Sequence, residues 1–119
     1  MKSKQRIINI MGELVKNSLE ADAEDINVNI KRNPEFIEIT IQDDGRGMDE
    51  KTLQEVQAKL NQEHRTIYDE YYSGLAGSGQ SDSGLNIVGF QVDEAEVKTS
   101  PEGTTIRVKR DRHKNEKNY

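Results

Sequence analysis

Glu13-Leu14-Val15-Lys16-Asn17-Ser18-Leu19-Glu20-Ala21-Asp22-Ala23, followed after two short alternating runs by Asp43-Asp44-Gly45-Arg46-Gly47-Met48, decides how this chain is read. The first segment has helical spacing. Glu13 and Asn17 are four residues apart and stand on one face of that helix. The second segment is a glycine-rich turn leaving a strand, with the Asp43 carboxylate at its mouth. A carboxylate and a carboxamide on one helix, facing such a turn, can hold a hydrated divalent cation and a nucleotide. The order and spacing of the two segments carry that reading. Taken singly, the first is an ordinary solvated helix face and the second an ordinary strand-exit turn.

The helix extends to both sides of Glu13. Residues 4–20 put Ile7, Ile10, Met11, Leu14, Val15 and Ser18 on one face, and Asn9, Glu13, Asn17 and Glu20 on a polar stripe. Residues 26–31 alternate with Ile26, Val28 and Ile30 apolar, and residues 36–42 alternate with Ile37, Ile39 and Ile41. Arg32-Asn33-Pro34-Glu35 between them is a turn signal, so the pair reads as a hairpin with one face buried. Asp49 is placed to cap a helix carrying Leu53, Val56 and Leu60. Residues 61–83 are the least regular part, running through Tyr68, Tyr71 and Tyr72 into Gly74-Leu-Ala-Gly77-Ser-Gly79-Gln-Ser-Asp-Ser83. A long segment of small residues inside a compact domain is usually functional or disordered. Gly84 to Val92 reads as a short helix. Residues 94–99 and 104–110 read as strands joined by Ser100-Pro101-Glu102-Gly103. The expected architecture is α/β, an α+β two-layer sandwich whose mixed four-stranded sheet carries helices on one face.

Composition bounds the function. The chain has 119 residues, enough for one core, with 32% hydrophobic and 33% charged residues, so a thin core and a strongly solvated exterior are expected. A net charge of −5 argues against a general nucleic-acid binder. There is no cysteine, hence no disulfide or thiolate metal site. No apolar run approaches the roughly 20 residues that span a bilayer, and the charged N-terminus leads into an amphipathic helix rather than a signal-peptide core. A cytoplasmic protein is expected. The domain is placed at residues 1–110, with 111–119 as a charged, disordered tail. His64 and His113 read as surface residues. Arg107, Lys109, Arg110, Arg112, Lys114 and Lys117 read as a solvated basic edge, with a docking surface as the minority alternative.

Three familiar phosphate-binding signatures fail. No Gly-Lys-Ser or Gly-Lys-Thr is present, so there is no P-loop. Gly77-Ser-Gly79-Gln-Ser-Asp82 lacks the third glycine of a dinucleotide fingerprint and does not leave a strand. Aligning Gly45 with the glycine of a calcium loop puts Lys51 where a bidentate Glu belongs. What remains resembles the Bergerat-fold ATPases, the GHKL group of gyrases, the heat-shock chaperone, histidine kinases and MutL repair proteins. Glu13-Leu-Val-Lys-Asn17-Ser resembles the asparagine box of that group, and Asp43-Asp-Gly45-Arg-Gly47 its Asp-x-Gly-x-Gly box. Ser83-Gly84-Leu85-Asn86-Ile87-Val88 resembles the end of its second glycine box, and Gly103-Thr104-Thr105-Ile106 its last Gly-Thr box. Four boxes in order, over about residues 5–109, are far more specific than any one. The opening glycines of the second glycine box are replaced here by Gln80-Ser81-Asp82-Ser83.

The resemblance implies ATP and Mg²⁺ as ligands. It implies that Asn17 binds Mg²⁺ and that Glu13 is the catalytic residue, polarising the attacking water or hydroxyl. Asp43 would accept from the adenine amino group, with Gly45, Gly47 and Met48 passing close to the base and Thr104 supporting it. Gly77, Gly79, Gly84 and Leu85 would belong to the lid and to the helix N-terminus that meets the phosphates. The short lid points to a histidine-kinase-like or anti-sigma-kinase-like domain acting on a partner protein. A standalone ATPase and a nucleotide-binding switch without turnover remain the alternatives, and the oligomeric state is left open.

Overall fold

The computed structural model describes residues 3–61 and 83–112. Helix α1 spans Ser3–Glu20 and buries Ile7, Ile10, Leu14 and Ser18, at the three- and four-residue spacing of one helix face. It stops where Asp22 adopts φ 61°, and the Ala23 N–H then reaches back to the Ser18 carbonyl at 3.2 Å. That left-handed residue and reach-back bond satisfy the last carbonyls and turn the chain into the sheet. Gly12, in mid-helix, has open space where a Cβ would go. Gly12→Ala is therefore expected to raise stability by about 1 kcal/mol, seen as a higher urea midpoint at unchanged slope.

Strand β1 (Ile26–Arg32) pairs antiparallel with β2 (Phe36–Asp43), Ile26 lying opposite Asp43. Asn33 closes the hairpin by accepting the N–H groups of Glu35 at 2.8 Å and Phe36 at 3.0 Å. Helix α2 (Glu50–Leu60) is capped by the Asp49 carboxylate on the Thr52 N–H at 2.8 Å. Helix α3 (Ser83–Gln91) leads into a second antiparallel hairpin, β3 (Glu94–Ser100) and β4 (Gly103–Asp111). The strand order is β1-β2-β4-β3. Among the described residues three helices lie on one face of the four strands, the expected two-layer sandwich. The expected lid, with Gly77, Gly79 and the tyrosines, falls at 62–82, outside the described residues.

Two details differ from expectation. The sheet is antiparallel throughout rather than mixed. β3 runs in the same direction as β2, so a mixed sheet would follow if β3 took the inner place beside β2. β4 takes that place because it alternates fully, with Thr104, Ile106, Val108 and Arg110 buried, whereas β3 buries only Val97. Secondly, the apolar face of β1 is not covered. Val28 and Ile30 are 38% and 40% exposed, so α1, which touches both β1 and β2, does not cover the outer strand.

The core joins Ile7, Ile10 and Leu14 to Ile37, Ile39, Ile41, Ile106 and Val108, with Val56, Leu60, Val88, Val92 and Val97 completing it. Leu14 is fully buried, and cutting it to Ala would cost about 2–5 kcal/mol. Gly89 permits the contact of α3 with α2, since a Cβ there would strike the Lys59 carbonyl. The basic edge is more structured than expected. Arg107 pairs with Glu38 at 3.0 Å, Lys109 sits 4.5 Å over the Phe36 ring, and Arg110 is buried against the Gln91 carbonyl. β4 continues to Asp111, and the Arg112 N–H donates to the Glu35 carbonyl at 2.9 Å. The rest of the expected tail, 113–119, lies outside the described residues.

Candidate functional site

The site begins where β2 and β4 end side by side. Their register sets Asp43 opposite Thr104. Asp43 is 8% exposed and its carboxylate is fixed from three sides. Oδ1 accepts the Gly45 N–H at 2.9 Å and the Thr104 N–H at 3.3 Å, and Oδ2 accepts the Ser18 hydroxyl at 2.6 Å. Ser18 thus uses the buried face of α1 to tie that helix to the strand end. A buried carboxylate needs such partners, and one lone pair on Oδ2 is left for a ligand.

The turn after Asp43 follows the backbone of α1 and β3 closely. A Cβ on Gly45 would lie 2.9 Å from both the Cβ and the carbonyl oxygen of Ala21. Gly47 has φ 78°, and a Cβ there would strike the Ser100 carbonyl. Gly47→Ala is expected to lower stability by about 1–3 kcal/mol, checked by urea unfolding. Beyond it the Met48 N–H donates to the Thr99 hydroxyl at 3.0 Å, and Thr99 and Thr104 share a hydroxyl–hydroxyl bond of 2.8 Å.

Two further carboxylates brace the same turn. Asp44 accepts the N–H groups of Glu24 at 2.8 Å and Asp25 at 3.0 Å. The Asp25 N–H, then the Glu24 N–H, hold its carboxyl below the ordinary 3.8. Asp49 is lowered likewise, first by the Thr52 N–H and then by the Thr52 hydroxyl. A carboxyl depressed by folding stabilises the fold above its unfolded value and loses that contribution as the pH falls through the lower folded value. Thermal stability is therefore expected to drop below about pH 4, and Asp44→Asn should flatten part of that drop in a circular-dichroism titration.

Between α1, α2 and this turn lies a cavity of about 370 Å³, lined by Asp43, Gly47, Met48, Thr104 and Asn17 among others. A second cavity of about 240 Å³ adjoins it, lined by Glu13, Lys16, Asn17, Lys59 and Leu85 among others. Asn17, Glu20, Thr52 and Val56 line both. Asp43 and Thr104 thus line the first cavity, Glu13 the second, and Asn17 both. Gly84, at the start of α3, lies against the Glu13 carboxylate, which fills the space a Cβ would take. Among the predicted residues, Glu13, Asn17, Asp43, Gly45, Gly47, Met48, Gly84, Leu85 and Thr104 come together here. Gly77 and Gly79 lie outside the described residues. Sequence reasoning missed Ser18, Thr99, Lys16 and Lys59. Ser18 was legible only as a polar residue on an apolar helix face.

Fold and cleft together make an α/β sandwich with an elongated polar site at one end of its sheet. The family of histidine kinase-, DNA gyrase B-, and HSP90-like ATPases matches residues 7–119, and the chain belongs to it. It is thus a GHKL-type ATP-binding domain. A comparison with curated proteins gives no match.

Proposed function

We propose that this domain binds Mg²⁺-ATP along the cleft from Asp43 to Glu13 and cleaves the γ-phosphate, by hydrolysis or by transfer to a partner protein. The observation that carries the reading is the pair of adjoining cavities that share Asn17, one lined by the Asp43 acceptor and the other by the Glu13 carboxylate. Asp43 Oδ2 accepts from the adenine amino group, and Thr104 supports the base. The Asn17 carboxamide is the protein's ligand for Mg²⁺. The donor set fits that ion. Asn17 lines both cavities and offers one neutral oxygen, and Mg²⁺ characteristically takes one or two protein ligands with the rest from phosphate and water. The bound ion supplies neutralisation of phosphate charge.

Glu13 accepts the proton of the attacking water or partner hydroxyl as the new bond to phosphorus forms and ADP departs. Its carboxylate lies at the N-terminal end of α3, where backbone N–H groups favour anionic oxygens. Lys16 and Lys59 add positive charge on the same side of the cleft. The test is thermal. Mg²⁺-ATP at 100 times its dissociation constant contributes about 2.7 kcal/mol, a rise of roughly 10 °C for a domain of this size. GTP should do less, since guanine presents a carbonyl where adenine presents a donor. No shift at millimolar ATP overturns the reading. A shift without phosphate release, with or without candidate partners, leaves a nucleotide-binding switch.

A further inference from the structure

We infer that two copies of this chain associate through the free edge of β1, with the two-fold axis at Val28. The starting observation is an apolar surface that the domain leaves uncovered. On β1, Val28 and Ile30 are exposed on the helix-bearing side of the sheet, beside buried Ile41 and Ile39. On α1, Ile8 and Leu19 are 54% and 58% exposed. Ile8, Val15 and Leu19 recur at helical spacing on the flank opposite Glu13 and Asn17, the flank nearer β1. An apolar edge of this kind is a template for strand pairing unless something blunts it.

The backbone is set for such pairing. Asp25 gives its carbonyl to the Asp44 N–H, and Asn33 gives its N–H to the Phe36 carbonyl, so the odd-numbered residues of β1 face β2. Ile26, Val28, Ile30 and Arg32 therefore turn their N–H and C=O groups outward. An antiparallel partner strand must match outward residues with outward residues, which leaves few registers. One of them places Val28 opposite the partner copy's Val28 and Ile26 opposite its Ile30. The same register, carried one residue past the start of β1, sets Asp25 opposite Lys31, twice over by symmetry. Among the described residues neither of these two charged side chains has an ion pair. Matching apolar contacts and complementary charges in one register make a second copy the occupant that this edge fits. The other edge, β3, buries only Val97 and alternates it with the charged Glu94, Glu96 and Lys98.

This association leaves the cleft open in both copies, since the Asn17 flank of α1 faces away from β1. The test is sedimentation of the full chain across concentration. The expected result is a concentration-dependent species of twice the chain mass. Val28→Arg sets two guanidinium groups at the axis and should weaken association by about tenfold or more, with circular dichroism unchanged and with the urea midpoint unchanged when both proteins are unfolded at a concentration where the parent is monomeric, because Val28 is exposed. Asp25→Lys and Lys31→Asp each set like charges opposite one another and should weaken it roughly fivefold to tenfold, while the double swap restores it. A chain that stays monomeric at several hundred micromolar overturns the assignment to a second copy. So does a dimer that is indifferent to Val28→Arg, or one that the double swap fails to restore.

Discussion

Glu13→Ala is expected to bind Mg²⁺-ATP within about threefold of the parent while losing turnover by about 10²–10⁴-fold, the usual contribution of a positioned general base. Asn17→Ala is expected to do the reverse at the binding step, losing the part of ATP affinity that depends on Mg²⁺. The two side chains are one helical turn apart but sit in different parts of the cleft. Asn17 lines both cavities, whereas Glu13 lines only the second, against the start of α3. An interaction made only as bonds break lowers kcat without changing ground-state binding. Both side chains are only half-buried, so both variants should stay within about 1 kcal/mol of the parent. Gly84→Ala supplies an independent check. Its methyl group would displace the Glu13 carboxylate, so it should imitate Glu13→Ala in turnover. Calorimetry of Mg²⁺-ATP beside single-turnover phosphate release separates these outcomes. Equal loss of binding in Glu13→Ala and Asn17→Ala, with turnover of bound ATP intact, would refute the division of labour.

Asp43→Asn should cost adenine nucleotides about 1–3 kcal/mol of affinity, roughly five- to 150-fold, at little expense in stability. The surroundings dictate which way the new amide points. Gly45 and Thr104 both offer N–H groups to the position of Oδ1, so the amide oxygen must take that place. The amide nitrogen then replaces Oδ2. It can donate to Ser18, whose hydroxyl rotates to accept, and its remaining hydrogen faces the cavity. There it meets another donor, the adenine amino group. Guanine, with its carbonyl at that position, should gain relative to adenine. Competition between ATP and GTP in a calorimetric titration reads this directly, and an unchanged preference would mean that Asp43 is a turn residue only. Asp43→Ala is a different experiment. It leaves three donors without their acceptor and should lower stability by a few kcal/mol as well.

Much of the fold was legible because local patterning and tertiary packing agree. The 3,4,4 spacing of Ile7, Ile10, Leu14 and Ser18 is the spacing of buried residues in α1, and the Asp49 cap falls where a cap was expected. The alternation of β1 was equally clear and misled. Period-two patterning tells which side chains share a face, but not whether a helix is wide enough to cover it. Nor does it reveal which strand of a hairpin turns inward, so the antiparallel sheet followed from the superior burial pattern of β4 rather than from any short motif. Of the residues that come together at the cleft, those with a conspicuous spacing in the sequence are Glu13, Asn17, Asp43 and the two glycines of the turn. Ser18 and Thr99 escaped because their roles are to hold other groups. A hydroxyl in an apolar stripe, or in a strand, has no signature until its partner across the sheet is known.

The pairing of Asp43 with Thr104 makes the cleft a by-product of strand alignment. Slipping β4 by one residue against β2 would turn Ile106 and Val108 to solvent and, in the same step, carry the Thr104 N–H away from the carboxylate. The chain thus has no well-packed but siteless state within reach of a small misalignment. Mutational drift that preserves the core preserves the acceptor's geometry along with it, so loss of the pocket by sheet slippage would be visible to cellular quality control as exposed hydrophobic strand.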